Sequence, residues 1–256
     1  MGREMSSMPV TERFTGRASF YAKHRPGYPA RLMDDLFQNG VLHPGDRVAD
    51  LGSGTGIFTE LLLARGLRVF AVEPNDDMRL EAEGRLIARK GFTSVNGRAE
   101  ATTLGSGSVE AATAAQSYHW FDPEPTRTEL RRILVPDGWV VLLWNKRVKD
   151  KDDYSREYEQ LVTRYSPEHE GIESDKESPE RIFGSSRFEH RTYEHHRHLD
   201  LEAQKGMAAS VSYLPAPGQQ GYGSFSDELE RLFRRHAVDA KVTVYLRAEC
   251  CFGHLD

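Results

Sequence analysis

Two acids and three alternating glycines in the first third of the chain form the pattern with the clearest chemical meaning. Asp50 is followed by Gly52, Gly54 and Gly56, and Glu73 ends an apolar run about one helix later. A glycine has no side chain, so a ligand can approach the backbone at that position. A carboxylate offers two acceptor oxygens to a pair of vicinal hydroxyls. The pattern therefore predicts a site for a ligand that carries a ribose.

Two apolar runs and the segment between them must position these residues. Residues 47–51 and 69–72 are apolar except near their ends, which is typical of parallel strands covered on both faces. Residues 57–65 have helical apolar spacing, so the glycine loop precedes a helix N-terminus. We therefore expect the loop to aim unpaired N–H groups at a carboxylate or phosphate.

Glycine loops of this kind also bind dinucleotides, so the spacing has to discriminate between ligands. The dinucleotide pattern, counted from Gly52 and Gly54, needs a third glycine at the position of Ile57. Here the glycines alternate instead. The run D-x-G-x-G-x-G resembles the first motif of the class I S-adenosylmethionine-dependent methyltransferases, a family in which an acid stands at the position of Glu73.

Four later segments extend the resemblance in the same order as in that family. Residues 96–100 resemble the segment beside the adenine, and residues 109–115 are typical of the fourth strand. Residues 116–122 leave the C-terminal end of that strand, and residues 136–144 give a turn and a fifth strand, with Pro and Gly as turn residues. The opening segment at residues 21–29 and the aromatic run at residues 118–122 further resemble a subgroup of small-molecule methyltransferases that includes trans-aconitate methyltransferases.

The resemblance implies an α/β fold of the Rossmann-like class I methyltransferase type. Its sheet is mostly parallel and seven-stranded and is flanked by helices and a helical cap. Its last strand is expected to pair antiparallel at the sheet edge. We expect residues 1–16 to be a flexible leader and residues 17–256 to form one methyltransferase domain. The charged, helical character of residues 146–186 and the segment 200–224 indicate cap or lid segments over the substrate.

The resemblance also implies which residues bind the cofactor, S-adenosyl-L-methionine, whose product is S-adenosyl-L-homocysteine. The loop amides would lie near the methionyl portion, and Glu73 would bind the ribose. Asp50 is expected to order the loop, or else only to cap the backbone that follows its strand. The predicted cofactor-binding set is Asp50, Gly52, Ser53, Gly54, Thr55, Gly56, Glu73, Pro74, Asn75, Met78, Ala99, Glu100 and Gln116.

The acceptor site is expected at the C-terminal end of the fourth strand, where open parallel sheets bind ligands. His119 could act as a general base, because its ordinary pKa is near 6.5, or it could simply pack and hydrogen-bond. An acceptor carboxylate would need no base, and Arg25 could bind it or the methionyl carboxylate. The predicted substrate-binding set is Tyr21, Arg25, Tyr118, His119, Trp120, Ser210 and Tyr213.

Composition narrows the class of protein. The net charge is −5 with basic residues scattered among acids, so no nucleic-acid footprint is evident. No run approaches the ~20 apolar residues of a membrane span, and no signal peptide is visible, so a cytoplasmic location is expected by default. Adjacent Cys250 and Cys251 are typical of an ordinary strand. The histidines at 195, 196 and 198 alternate between strand faces, so no metal site is expected.

These observations predict a methyltransferase that acts on a small-molecule acceptor, such as a carboxylate or another oxygen nucleophile. The expected assembly is a monomer or a homodimer, with no nucleic-acid or membrane partner. Two alternatives stay open. One is a nicotinamide-dependent oxidoreductase, and the other is a protein that binds S-adenosylmethionine without turnover.

Overall fold

A computed structural model describes residues 23–166, 178–211 and 213–255. Within them, seven strands form one sheet in the order β3-β2-β1-β4-β5-β7-β6. The strands are β1 Arg47–Leu51, β2 Arg68–Val72, β3 Phe92–Val95, β4 Val109–Ala115, β5 Leu134–Arg147, β6 Glu189–Leu199 and β7 Val242–Gly253. The first five strands run parallel, whereas β7 is antiparallel to both β5 and β6. The last strand therefore lies between two others, and the prediction that it lies at the sheet edge is wrong, because β6 occupies that edge. The predicted fold class is confirmed.

Helices cover both faces of this sheet. They are α1 Ala30–Gln38, α2 Ile57–Ala64, α3 Asp76–Leu86, α4 Pro123–Ile133, α5 Asp153–Tyr165, α6 Glu180–Phe183, α7 Leu201–Ala209 and α8 Tyr222–His236. Buried residues of α1 and α2 pack on one face, and those of α4 and α6 pack on the other. Successive residues of a strand point to opposite faces, and accordingly Cys250 belongs to the first core and Cys251 to the second.

A third core joins α5, α7 and α8 to the ends of β6 and β7. It contains Leu161 of α5, Met207 of α7, Leu229 of α8 and Leu246 of β7, all buried. These three helices, which we call the cap, follow the point at which β5 ends. Residues 167–177, part of one predicted cap segment, lie outside the described residues, as does the predicted leader.

The fifth strand differs from its prediction. The expected turn at Pro136, Asp137 and Gly138 lies inside β5 as an irregularity. The register moves from Val109 opposite Leu134 to residue 111 opposite residue 139, and Asp137 has a φ of 59°. Proline can stand here because the bulged residues are displaced from the regular hydrogen-bond ladder.

Two cap helices have ends that differ from what the sequence indicates. The sequence favours helices over residues 201–212 and 226–237, whereas the structure has them at Leu201–Ala209 and Tyr222–His236. Across the described part of the chain, no helix is long and apolar enough to cross a bilayer.

Candidate active site

One cavity opens where β1, β2 and β4 end and the following loops begin. Most of the predicted site residues line it: Arg25, Asp50, Gly52, Ser53, Gly54, Glu73, Pro74, Asn75, Met78, Ala99, Glu100, Gln116 and Trp120. Because parallel strands place their C-terminal ends at one edge, residues far apart in sequence meet there. This convergence supplies the candidate site.

The three glycines of the loop have different surroundings, although all have positive φ. A Cβ on Gly52 would lie 2.7 Å from the Cβ of Ser117, and one on Gly56 would lie 2.6 Å from Cδ1 of Leu86. A Cβ on Gly54 would meet nothing within 4 Å and would extend beside the cavity. Gly52 and Gly56 therefore permit close packing of the protein on itself, and Gly54 leaves space for a ligand.

The first amides of the loop do not face a ligand, contrary to the prediction. The N–H groups of Gly52 and Ser53 both donate to the carbonyl of Val72, at 2.9 and 3.1 Å. The N–H of Gly54 donates to Oε2 of Glu73 at 2.9 Å. The end of β2 thus accepts all three donors. These three amides are therefore not available to an anionic group of a ligand.

Glu73 is the acid at the centre of the site, and it is 8% exposed. Its second oxygen, Oε1, accepts the N–H of Asn75 at 2.9 Å. Burial raises the pKa of Glu73, while the Asn75 and Gly54 amides act in the opposite direction. Each carboxylate oxygen has more than one acceptor direction, so both oxygens can still accept a ligand hydroxyl.

Asn75 explains the direction of the chain after Glu73. Its Oδ1 accepts the N–H of Met78 at 2.9 Å and so caps the N-terminus of α3. This N-terminal cap of α3 changes the direction of the backbone after β2. Glu73, Asn75 and Met78 all line the cavity as a result.

Asp50 lies at the end of β1 and is 1% exposed. Its two oxygens accept the hydroxyls of Thr59 on α2 at 2.6 Å and of Thr113 on β4 at 2.9 Å. Burial raises the pKa of Asp50 to about 6, although both hydroxyls lower it. These contacts join the end of β1 to α2 and β4.

The loops after β3 and β4 close the other sides of the cavity. Glu129 on α4 accepts the N–H and the hydroxyl of Thr102, which anchors the segment that carries Ala99 and Glu100. Ser117 donates its hydroxyl to the carbonyl of residue 51 at 2.7 Å. Gln116 donates Nε2 to the carbonyl of residue 145 at 3.0 Å, which ties β4 to β5.

The predicted catalytic residue, His119, does not line the cavity. Its ring packs against Trp120 and Trp144, with centroids 4.3 and 4.5 Å away. Tyr118 is also directed away from the cavity, because its buried ring joins the α4 face of the core and meets Trp144 edge-on at 5.6 Å. A short 3-10 turn over residues 118–120 sends these neighbours in different directions.

Ser210 and Tyr213 also do not line the cavity. Ser210 is buried and donates its hydroxyl to the carbonyl of Met207, within its own helix end. The hydroxyl of Tyr213 accepts a hydrogen bond from Arg147 at 3.2 Å. Both residues therefore belong to the cap and its junction with β5.

Three further predicted residues need separate mention. Thr55 and Gly56 do not line the cavity. Thr55 is fully buried, and Gly56 packs against α3. Tyr21 lies outside the described residues. Among the residues that are described, no group of three or more histidine, cysteine or acidic side chains could hold a metal ion.

Comparison with known proteins agrees with this geometry. Residues 49–142 match a family model described as a methyltransferase domain. An uncharacterized methyltransferase of Mycobacterium tuberculosis (strain ATCC 25618 / H37Rv) is 34% identical over 151 residues, and the match spans 59% of each chain. Over this part of the chain the sequence is therefore similar to methyltransferases. The trans-aconitate subgroup finds no support among these matches.

Solved methyltransferase structures have the same fold. A proposed type II methyltransferase of Anaeromyxobacter dehalogenans has a TM-score of 0.63 at 24% identity, covering 90% of this chain and 97% of that chain. Phosphoethanolamine N-methyltransferase 2 of Haemonchus contortus, in complex with S-adenosyl-L-methionine, has a TM-score of 0.55 at 15% identity. That likeness covers 98% of this chain and 61% of the nematode protein.

The cavity is also lined by residues that the sequence analysis missed. They are Pro26, Tyr28, Ile57, Phe58, Arg98, Ala115, Ser117 and Phe121. Several adjoin predicted residues, so the loop boundaries alone could have suggested Ser117, Phe121 and Arg98. Tyr28 and Phe58 pack edge-on at 5.2 Å, and only tertiary structure brings them together.

Proposed function

We propose that this protein is an S-adenosylmethionine-dependent methyltransferase that transfers a methyl group to an oxygen of a small-molecule acceptor. The observation that carries the proposal is Glu73, a buried carboxylate that two backbone amides orient at the C-terminal end of β2. Glu73 would accept the ribose hydroxyls, and the open space beside Gly54 would receive the methionyl portion. Ala99 and Glu100 would border the adenine.

When bound, S-adenosylmethionine supplies a methyl group on a positively charged sulfur, which an acceptor oxygen displaces in line. The protein's task is then to hold the acceptor at attack distance and to exclude water. Trp120, Phe121 and Tyr28 give the cavity an aromatic wall that serves both purposes.

The ionisable groups of the cavity favour an acceptor that arrives already ionised. Its acidic members are Asp50, Glu73 and Glu100, and all three accept hydrogen bonds from hydroxyls or amides of the protein. His119 does not line the cavity in this structure. A carboxylate acceptor needs no general base, and Arg25 can attract its charge from the cavity wall.

Calorimetric titration with S-adenosylhomocysteine, with reduced nicotinamide dinucleotide as the comparison ligand, tests the cofactor assignment. We expect saturable binding near one per chain for S-adenosylhomocysteine alone, because the dinucleotide pattern needs a glycine at the position of Ile57. No binding to folded protein would contradict the proposal. A product assay over a panel of small carboxylic acids then separates an enzyme from a protein that only binds the cofactor.

A further inference from the structure

A second cavity lies on the α4 face of the sheet, between β5, β7 and α6. Its volume is about 270 Å³. A single water needs only ~10–15 Å³, so this cavity has room for a small organic molecule. Among the residues that the structure describes, none lines both this cavity and the proposed cofactor cavity. We call it the second cavity.

Aromatic and apolar side chains form one part of its wall. They are Tyr118, Leu142, Trp144, Phe188 and Cys251. The ring of Phe188 stacks on Phe183 of α6 at 4.8 Å. Tyr118 meets Trp144 edge-on at 5.6 Å, so neighbouring rings hold this part of the wall in place. Aromatic rings cover alkyl groups, and the negative charge of their faces attracts organic cations.

Charged side chains form the other part of the wall. Two of them are carboxylates, Glu180 and Glu249, and one is an ammonium group, Lys146. Lys146 pairs with Glu249 at 3.2 Å, whereas Glu180 accepts the neutral hydroxyl of Ser178. With His190 neutral, these described groups leave one negative charge in excess. Such an excess favours a cation in the cavity.

The thiol of Cys251 shows that both carboxylates act on the same region of the second cavity. Burial raises the pKa of Cys251 to about 12, and the carboxylates of Glu249 and Glu180 raise it further, while Lys146 acts in the opposite direction. Cys251 itself lines the cavity from β7. The negative charge and the apolar wall are therefore within reach of one small ligand.

We propose that the second cavity binds a small alkylammonium ion, with its alkyl groups against Tyr118 and Trp144 and its charge near the carboxylates of Glu249 and Glu180. This site is additional to the cofactor and acceptor sites of the proposed function and does not depend on them. A neutral molecule of the same shape would match the rings without satisfying the excess charge. Charge therefore distinguishes the proposed ligand.

The three tryptophans of the chain can report which cavity a ligand occupies. Trp144 lines the second cavity, Trp120 lines the proposed cofactor cavity, and Trp139 lines neither. The ring of His119 lies between the first two, with centroids 4.5 Å from Trp144 and 4.3 Å from Trp120. The two cavities are thus neighbours, and each has a tryptophan in its wall.

Choline tests the proposal, with its neutral carbon analogue as the control ligand. In that analogue a tert-butyl group replaces the trimethylammonium group, so the shape is kept and the charge is lost. We expect saturable choline binding by calorimetry and tryptophan fluorescence, about fivefold tighter or more than binding of the analogue. The affinity should not fall when S-adenosylhomocysteine is saturating, because the cavities share no described lining residue.

Two charge variants locate the cation. Glu249→Gln and Glu180→Gln should each weaken choline binding by about fivefold and leave the neutral analogue unaffected. The matched control is Glu194→Gln on β6, which lines neither cavity and whose side chain is 63% exposed. The control should keep the affinity of wild type. Thermal unfolding without ligand checks that each variant is folded, and either of the first two variants suffices.

Two tryptophan variants locate the fluorescence change. Trp144→Phe should abolish it, although calorimetry should still detect choline because phenylalanine keeps a ring in the wall. Trp139→Phe should retain the change. A change that persists in Trp144→Phe would place the ligand elsewhere and overturn the proposal.

The remaining outcomes also decide the proposal. Equal binding of choline and its neutral analogue, no saturable choline binding to folded wild type, or competition between choline and S-adenosylhomocysteine would each overturn it. Competition would show that choline occupies the cofactor cavity. If S-adenosylhomocysteine does not bind, the proposed function fails, and the choline titrations still test the second cavity.

Discussion

At the residue scale, Glu73 combines two functions that one carboxylate can perform together. It accepts the amides of Gly54 and Asn75, which shapes the loop, and it keeps acceptor capacity toward the cavity. A neutral amide in its place would present N–H groups toward one of those backbone donors. The charge, the loop shape and the proposed ribose contact therefore depend on the same side chain.

We predict that Glu73→Gln weakens S-adenosylhomocysteine binding by about 10- to 100-fold, the loss expected for hydrogen bonds to a charged group. Calorimetric titration measures the change. Glu81→Gln, on the neighbouring helix α3, removes a charge of the same kind without touching the cavity and should leave the affinity unchanged. Equal affinities of Glu73→Gln and wild type would show that the ribose contact has been misassigned.

A second prediction separates the roles of two loop glycines. Gly54 and Gly56 have φ of 57° and 79°, so alanine costs about 1–2 kcal/mol of backbone strain at either position. Gly56→Ala also places Cβ 2.6 Å from Leu86, which adds roughly 1–3 kcal/mol of overpacking. We therefore expect Gly56→Ala to lose more stability than Gly54→Ala. For a given loss of stability, Gly54→Ala should lose more affinity for S-adenosylhomocysteine.

Urea unfolding and calorimetry on the same two variants check this prediction. Gly66→Ala is a control for the strain alone, because Gly66 has a φ of 79° and open space around its Cβ direction. If Gly56→Ala is no less stable than Gly66→Ala, the close packing of the loop on α3 has no energetic role.

At the scale of elements, β1, β4 and the helix α2 could be predicted because their apolar runs are short and clearly bounded. The interval Val109–Ala115 is the same in prediction and structure, and so is Arg47–Leu51. The turn at Pro136 was misplaced because a proline in a bulge and a proline before a strand have the same local sequence. The loop amides were misassigned because their acceptors, Val72 and Glu73, belong to another strand.

Asp50 links three elements, and its buried position predicts a pH dependence. Its pKa is raised from 3.8 to about 6, so the native state retains this proton to higher pH than the unfolded chain does. Its contribution to stability is therefore complete below pH ~4 and is lost as pH rises through about 6. The predicted decrease is roughly 3 kcal/mol, at 1.36 kcal/mol per pKa unit.

Asp50→Asn should remove this component, so the difference in unfolding free energy between wild type and variant changes between pH 4 and 7. Urea titrations across that range measure it. Glu129→Gln is a control of opposite sign, because Arg132 lowers the pKa of Glu129 to about 2. The stabilising effect of the ionised Glu129 is lost only as pH falls below about 4.5. Glu129→Gln should therefore not alter the dependence of the unfolding free energy on pH above pH 5. Parallel wild-type and Asp50→Asn curves would contradict the assignment.

At the scale of the whole molecule, residues 23–28 connect the cap, the sheet and the cavity. The carbonyl of His24 accepts from Arg197 of β6 at 3.1 Å, and the carbonyl of Gly27 accepts from Asn145 of β5 at 3.0 Å. Arg25, between them, lines the cavity. The ring of His24 also lies against Gly206 of the cap helix α7. These contacts couple the position of the cap to a residue of the proposed active site.

Gly206→Ala is predicted to disrupt this connection. A Cβ at Gly206 would lie 2.3 Å from the ring of His24, so the segment must move away from α7. We expect S-adenosylhomocysteine or acceptor binding to weaken several-fold, although alanine favours the helix by up to ~1 kcal/mol. Hydrogen exchange of residues 23–29 and calorimetry measure the two effects, and the double variant with His24→Ala should restore affinity.

Gly84→Ala is the matched control for this prediction. Gly84 lies in α3 with open space around its Cβ direction, so the substitution should stabilise the helix and leave affinity unchanged. If Gly206→Ala behaves in the same way, the contact between His24 and α7 does not position Arg25.

The bulge in β5 restricts how many residues can be inserted or deleted in this strand. After it, Asn145 contacts Gly27 and Arg147 contacts the cap, whereas Trp144 packs with α4 residues on the opposite face. Because strand side chains alternate, inserting or deleting one residue near Gly138 would exchange these two groups. An aromatic ring would then replace the amide beside the cavity. Natural variation in the length of this segment should therefore occur in steps of two residues. A change by an odd number of residues would need a second irregularity in the strand to restore the faces of the side chains.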